Sequence, residues 1–294
     1  MKDIIFTGAA VAIVTPFTED GINFSELKKL IDFNIENGSD AIVIAGTTGE
    51  SSTMTDEEHR EVIKFTVEYV NKRVPVIAGT GSNDTIYAVE LSKYAESVGA
   101  DALLLVTPYY NKATQSGLVK HYNYIADRVN IPIILYNVPS RTGVNITPEA
   151  YAELSKHPRI VATKEASGDL SAIAKIRALC KDELNIYSGN DDQIVPILSL
   201  GGKGVISVFS NVMPKEAHDI CSLYFEGKVK ESSELQTKYL DLINALFIEV
   251  NPIPVKTALG LMGYNVGPLR MPLFPMEGKN LEALRTELKN NKLI

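Results

Sequence analysis

The chain is poor in cysteine and histidine and has no long apolar run. Its two cysteines, Cys180 and Cys221, have no paired-motif spacing. Both fall on helix-like segments among apolar neighbours, so they read as reduced core thiols and not as a disulfide. The four histidines, His59, His121, His157 and His218, are scattered without ligand spacing, and no metal is expected. No apolar run approaches the roughly 20 residues that span a bilayer. "MKDIIFTGAA" lacks the charged-then-apolar pattern of a secretory signal, and Asp3 argues against a transit peptide. Positive charge is in deficit, with 29 Lys and Arg against 36 Asp and Glu and a net charge of −7. Such a field repels polyanions, so nucleic acid is excluded as a partner, and any anionic substrate needs a few local cations. No Gly-x-Gly-x-x-Gly follows a strand, and there is no Gly-x-Ser-x-Gly elbow. These absences point to a cytoplasmic protein with neither membrane nor nucleic acid as partner.

What is present is globular. The 294 residues are 45% hydrophobic and 22% charged, enough for a core that needs no disulfide staples. Eight short β-rich runs recur: "GAAVAIVTPF", "AIVIAG", "VPVIAGTG", "DALLLVTP", "IPIILYNVP", "IVATKEA", "NIYSGND" and "GVISVFS". They are continuously apolar instead of alternating, as in parallel strands buried on both faces. Helical signals fill the gaps. Thr55 and Glu58 form a capping box, with Lys72 and Arg73 at the far end of that helix. Ala88, Leu91, Ala95 and Val98 fall at helical spacing before Gly99, and Thr147 precedes Pro148 as an N-cap. Eight βα units in succession predict an α/β fold, a (β/α)8 TIM barrel over residues 1–227. The rival, a doubly wound open sheet, usually has fewer strands and carries a dinucleotide fingerprint. Residues 228–294 change character. "KESSELQTKYLDLINALFIE" reads as one long amphipathic helix, and "NPIPVKTALGLMG" and the C-terminal segment as further helices, giving a small C-terminal helical appendage.

Barrel chemistry sits at the C-terminal ends of strands. The sixth run ends on Lys164. Lysines usually snorkel or pair with a carboxylate, but this one follows "VAT" and shares a strand face with Ala162 and Ala166. Glu165 falls on the opposite face. Burial disfavours the charged form of an amine, and a neutral amine can form a Schiff base with a ketone. "GTTGES", with Thr47, Thr48 and Glu50, is a tight loop whose amides could cradle an anion, although a turn with a helix cap explains it equally well. Glu50 reads better as structural than as a general base. Tyr110 and Tyr136 are phenols at the mouth, where they can pack or pass protons. Arg141 reads as a solvated charge or as a bidentate clamp for a carboxylate. Asp191 and Asp192 read as caps of the following helix.

Taken in order, "GAAVAIVTPF", "GTTGES", "VIAGTGSN", "TPYYNK", "ILYNVPSRTG", "KEASGD", "YSGND", "GVISV" and "NPIPVK" resemble the dihydrodipicolinate synthase family over essentially the whole chain. That family belongs to the pyruvate-dependent class I aldolases, which also hold N-acetylneuraminate lyase. The resemblance implies a lyase with 4-hydroxy-tetrahydrodipicolinate synthase activity, in diaminopimelate and lysine biosynthesis. It implies an imine between Lys164 and pyruvate, and a proton relay of Thr47, Tyr136 and Tyr110, with Tyr110 supplied across a subunit contact. It implies Thr48 for the pyruvate carboxylate, Arg141 for the carboxylate of aspartate semialdehyde, and a pocket lined by Gly189 and the carbonyl of Ile206. No cofactor is implied, and the partners are these small molecules and further copies of the chain in a dimer of dimers. Arg141 sits where sialic-acid lyases carry an apolar or small residue. An effector pocket is implied at Ser51, Ser52, Asp56, His59, Asn83, Tyr87 and Tyr109. Lysine-inhibited members carry histidine at the place of Asp56 and glutamate at that of Tyr87, so lysine inhibition is expected to be weak or absent. Two other readings compete: a related aldolase acting on a sugar acid, and a catalytically silent binding or regulatory relative.

Overall fold

Strands with no polar face must be covered on both sides, and closing them into a barrel does this without leaving an edge. The computed structural model describes residues 2–294. In it the eight runs form β1 (Gly8–Ala12), β2 (Ala41–Ile44), β3 (Val76–Gly79), β4 (Ala102–Val106), β5 (Ile133–Asn137), β6 (Ile160–Glu165), β7 (Asn185–Ser188) and β8 (Gly204–Ser207). All pairings are parallel between sequence neighbours, and β8 closes on β1. The architecture is a TIM barrel. A short hairpin, Phe17–Thr18 with Gly21–Ile22, follows β1 and was not foreseen in the sequence.

The outer layer comprises α1 (Phe24–Glu36), α2 (Asp56–Val70), α3 (Thr85–Ser97), α4 (Gln115–Ala126), α5 (Pro148–Leu154), α6 (Leu170–Cys180), α7 (Ile194–Ser199) and α8 (Pro214–Phe225). Side-chain caps start most of them. Thr55 and Glu58 make the expected reciprocal box on α2, Asp84 caps α3, Thr114 caps α4 and Thr147 caps α5. Arg73 bonds the carbonyls at the end of α2, whereas Lys72 crosses to Asp101. α7 has no side-chain cap. Asp191 instead accepts from the backbone N–H groups of Val208 (3.0 Å) and Phe209 (2.9 Å), and so caps the turn after β8. The expectation that Asp191 and Asp192 cap the helix that follows them is therefore corrected.

Two apolar layers result. The barrel interior holds Ala10, Val43, Ile77, Leu104, Ile134, Val161, Ala162, Tyr187 and Ile206, among others. Phe6 stacks on Tyr187 at 4.3 Å between centroids, next to the start of β1. The larger layer lies between the strands and the helices. Pairing along β5–β6 slips by one residue: Ile133 faces Ile160, but Ile134 faces Ala162. Val161 is the extra residue of this bulge, and Val161 and Ala162 both lie in the interior.

The appendage contains α9 (Val229–Lys238), α10 (Leu240–Ala245), α11 (Ile253–Leu261) and α12 (Gly278–Asn290). The single long helix read from "KESSELQTKYLDLINALFIE" is thus two. The break falls at Tyr239, which is buried with its ring 5.7 Å from that of Phe209, while Gln236 bonds Val195 N and Asp192 O. Tertiary partners outweigh the helical periodicity there. Cys180 and Cys221 are free and buried, and burial pushes both thiols up. Among the described residues no helix is long and apolar enough to cross a membrane.

Candidate active site

The strand ends converge on a cavity of about 160 Å³ at the barrel mouth. Lys164 projects into it from β6, 6% exposed, with its Nζ 4.4 Å above the ring centroid of Tyr136. The two residues are paired across β5–β6 and so point the same way. Among the described residues no carboxylate forms an ion pair with this amine. Asp191 lies close enough to feel its charge, although burial pushes the Asp191 carboxyl up more strongly. On the other face of β6, Glu165 accepts from Tyr151 (2.6 Å), Asn137 (2.9 Å) and Ser167 (2.7 Å). The alternation read from the sequence therefore holds. Gly189 approaches Lys164 closely: a Cβ there would lie 3.1 Å from Lys164 Cε and 2.7 Å from Ala166 Cβ. Only glycine leaves room for the lysine stem.

The "GTTGES" loop enters from β2 with two non-glycine residues in the left-handed region, Ala45 (φ 55°) and Glu50 (φ 56°). Glu50 is fixed within a seam to the appendage. Its carboxylate pairs with Lys256 at 2.8 Å and accepts from Arg270 N at 2.9 Å. Both charged side chains of the pair are almost wholly inaccessible. Arg270 in turn pairs with Glu58 on α2. Glu50 is structural, as the sequence favoured, and the loop it anchors presents Thr48 to the cavity. Thr48 Oγ1 accepts from Asn251 Nδ2 at 2.9 Å.

Of the residues singled out in the sequence, Lys164, Tyr136, Thr48, Arg141 and Gly189 line this one cavity. Thr47 lines a smaller neighbouring one of about 40 Å³, which Tyr136 also borders. Ile206 is buried in the barrel interior beside Ala10 and is not among the side chains lining the cavity. Tyr110 is 90% exposed, at φ 71°, and does not reach the cavity of its own chain. Arg141 sits in the helical turn Pro139–Thr142 and donates from Nη2 to the carbonyl of Asn251 at 3.0 Å. Asn251 also lines the cavity, although nothing in the sequence singles it out: "NPIP" reads as a helix break.

Ser51, Ser52, His59, Tyr87 and Tyr109 line a further cavity of about 370 Å³ that shares Val138 and Arg141 with the mouth cavity and Thr47 with the smaller one. Asn83 stands beside it, bonded to Tyr109 O. Asp56 is engaged twice. Its carboxylate accepts from Tyr87 Oη (2.9 Å) and pairs with Arg60 (2.7 Å). Burial and Asp56 push the Tyr87 phenol up to about 12, and the Arg60 guanidinium holds the Asp56 carboxyl below its usual range. Burial pushes the His59 imidazole down, and its Nε2 lies 2.9 Å from Gly79 O.

A model of the dihydrodipicolinate synthetase family matches residues 5–291. A 4-hydroxy-tetrahydrodipicolinate synthase from Clostridium perfringens is 63% identical over 290 residues, covering 99% of this chain and all of that protein. A solved dihydrodipicolinate synthase from Thermotoga maritima superposes with a TM-score of 0.96 at 43% identity, over 99% of this chain and all of that one. A dihydrodipicolinate synthase from Acinetobacter baumannii, solved in complex with pyruvate, gives 0.95 at 44% identity, over 98% and 99%.

Proposed function

Since the chain belongs to the dihydrodipicolinate synthetase family, we propose that it makes 4-hydroxy-tetrahydrodipicolinate through an imine on Lys164. The activity is that of a 4-hydroxy-tetrahydrodipicolinate synthase, a lyase of the class I aldolase type serving diaminopimelate and lysine biosynthesis. The observation that carries the imine is the buried amine of Lys164, which forms no ion pair among the described residues and lies in one cavity with Thr48 and Arg141. The amine adds to the C2 carbonyl of pyruvate and water leaves. The iminium withdraws electrons from C3, which loses a proton and becomes an enamine carbon. That carbon attacks the aldehyde of L-aspartate 4-semialdehyde. The amino group of the adduct then adds to the imine carbon and displaces Lys164, closing the ring; one water is lost overall. The iminium is itself the electron sink.

Thr48 holds the pyruvate carboxylate, and Arg141 takes that of the semialdehyde. Tyr136, over the amine, passes protons with Thr47. Gly189 and the carbonyl of Ile206 shape the pocket. Tyr110 points away from its own cavity, which fits a relay completed by a second copy in a dimer of dimers. We place the enzyme in the cytoplasm and divide it into a barrel of residues 1–227 and an appendage of 228–294. The test is product formation from pyruvate and the semialdehyde, coupled to a reductase, with borohydride trapping of pyruvate on Lys164. Turnover with a sugar-acid aldehyde instead would replace this reading with the related aldolase.

The second cavity lacks the carboxylate that would meet an effector's amino group, because Asp56 is neutralised by Arg60. Lysine is expected to inhibit weakly or not at all in a steady-state titration; inhibition at micromolar lysine would overturn this.

A further inference from the structure

Asn251 joins the two anion-binding residues of the mouth. Its Nδ2 donates to Thr48 Oγ1 at 2.9 Å, and its main-chain carbonyl accepts from Arg141 Nη2 at 3.0 Å. The residue is 6% exposed and lines the cavity beside Lys164. Its amide oxygen Oδ1 is buried and has no partner. An unsatisfied buried acceptor is costly, so such atoms call for an explanation.

The substrates supply a chemical match. Every polar group of pyruvate is an acceptor, and so are the carboxylate and aldehyde of the semialdehyde. The one donor the two substrates bring is the α-amino group. It shares a carbon with the carboxylate assigned to Arg141, the guanidinium held by Asn251's own carbonyl. Resting on the synthase reading, we infer that Asn251 Oδ1 receives the α-ammonium of the semialdehyde and so makes the mouth selective for an amino-acid aldehyde. The other end of the amide fits this role. Because Thr48 Oγ1 accepts from Nδ2, its own proton is left to donate to the pyruvate carboxylate. Turning the amide over would take that proton and would aim N–H groups at an ammonium.

The experiment compares L-aspartate 4-semialdehyde with succinic semialdehyde, which has the same chain without the amine. Enzyme charged with pyruvate and freed of the excess is mixed with each aldehyde and quenched with borohydride. The rate at which trapped pyruvate disappears from Lys164 is read by mass spectrometry, because the adduct of the amino aldehyde leaves the lysine on ring closure. Wild type should favour the amino aldehyde by about 10- to 100-fold, the scale of a hydrogen bond to a charged group. Asn251→Ala should collapse that ratio towards unity. Asn251→Asp, which keeps an acceptor oxygen, should retain it while raising the KM for pyruvate, since the donor to Thr48 is gone. A wild type without amine preference overturns the inference, whether or not the variants fold. So does an unchanged ratio in Asn251→Ala, or an equal loss in both variants, which would make Asn251 only a support for Arg141. Failure of wild type to trap pyruvate at all would instead overturn the imine reading beneath it.

Discussion

Lys164 at the floor of the mouth and Lys256 in the seam under the appendage are both nearly inaccessible, at 6% and 3% exposure. Only Lys256 has a carboxylate. It pairs with Glu50 and also bonds the carbonyl of Pro268 at 2.9 Å. Burial pulls its pKa down while Glu50 pulls it up, with burial the stronger. Lys164 has an aromatic face beneath it and no ion pair. A buried ammonium with a carboxylate is a structural device, and one without is available for chemistry. The seam serves the mouth, because Glu50 anchors the loop that carries Thr48.

The widest separation of the two regions should come from Lys164→Ala. We expect kcat to fall by about 10³-fold or more, as when a nucleophile is lost, with little change in melting temperature, since no ion pair is broken. A large loss of stability would break the comparison. Lys256→Met should do the reverse. It strands Glu50 in the seam and should cost about 3–5 kcal/mol in denaturant unfolding, with a far smaller effect on kcat. Adding Glu50→Gln should restore much of that stability; if it does not, the pair is not what holds the seam. The smallest effect concerns the outer edge of the seam. The Arg270 guanidinium holds the Glu58 carboxyl below its ordinary value, which is about 4.3. A carboxyl depressed in the folded state adds stability above its unfolded pKa and loses it as pH falls through the folded one. Wild type should therefore lose melting temperature more steeply on acidification than Glu58→Gln. Parallel curves would remove this pair from the account.

The barrel was legible because a continuous apolar run can be buried in few ways, and eight of them separated by helical signals leave little choice. Lys164 was legible for the same reason: an ammonium at the end of such a run is out of place unless it has work there. Lys256 was not, because its partner lies 206 residues away. Asn251 was hidden likewise, 203 residues from Thr48 in a stretch that reads only as a helix break. The role of Asp191 is not local either, because the amides it caps come from the end of the next strand. Caps and strand faces are local properties of the chain, whereas the polar ties that assemble the mouth depend on how the ends of the sequence meet.

The bulge at Val161 bears on how this strand can change length. Ile160 belongs to the outer packing and Lys164 to the interior, and an unbroken alternation from Ile160 would set Thr163 beside Tyr136 and turn the amine outward, towards the helices. The strand therefore has the wrong parity for its task, and one surplus residue corrects it. Loss of Val161 would give a regular strand with Lys164 still inward, whereas loss of Thr163 with the bulge kept would bring the carboxylate of Glu165 to face Tyr136. Within four residues of the same strand, one deletion is tolerable to the chemistry and another inverts it, so the places where relatives of this chain can vary in length are set by parity as much as by packing.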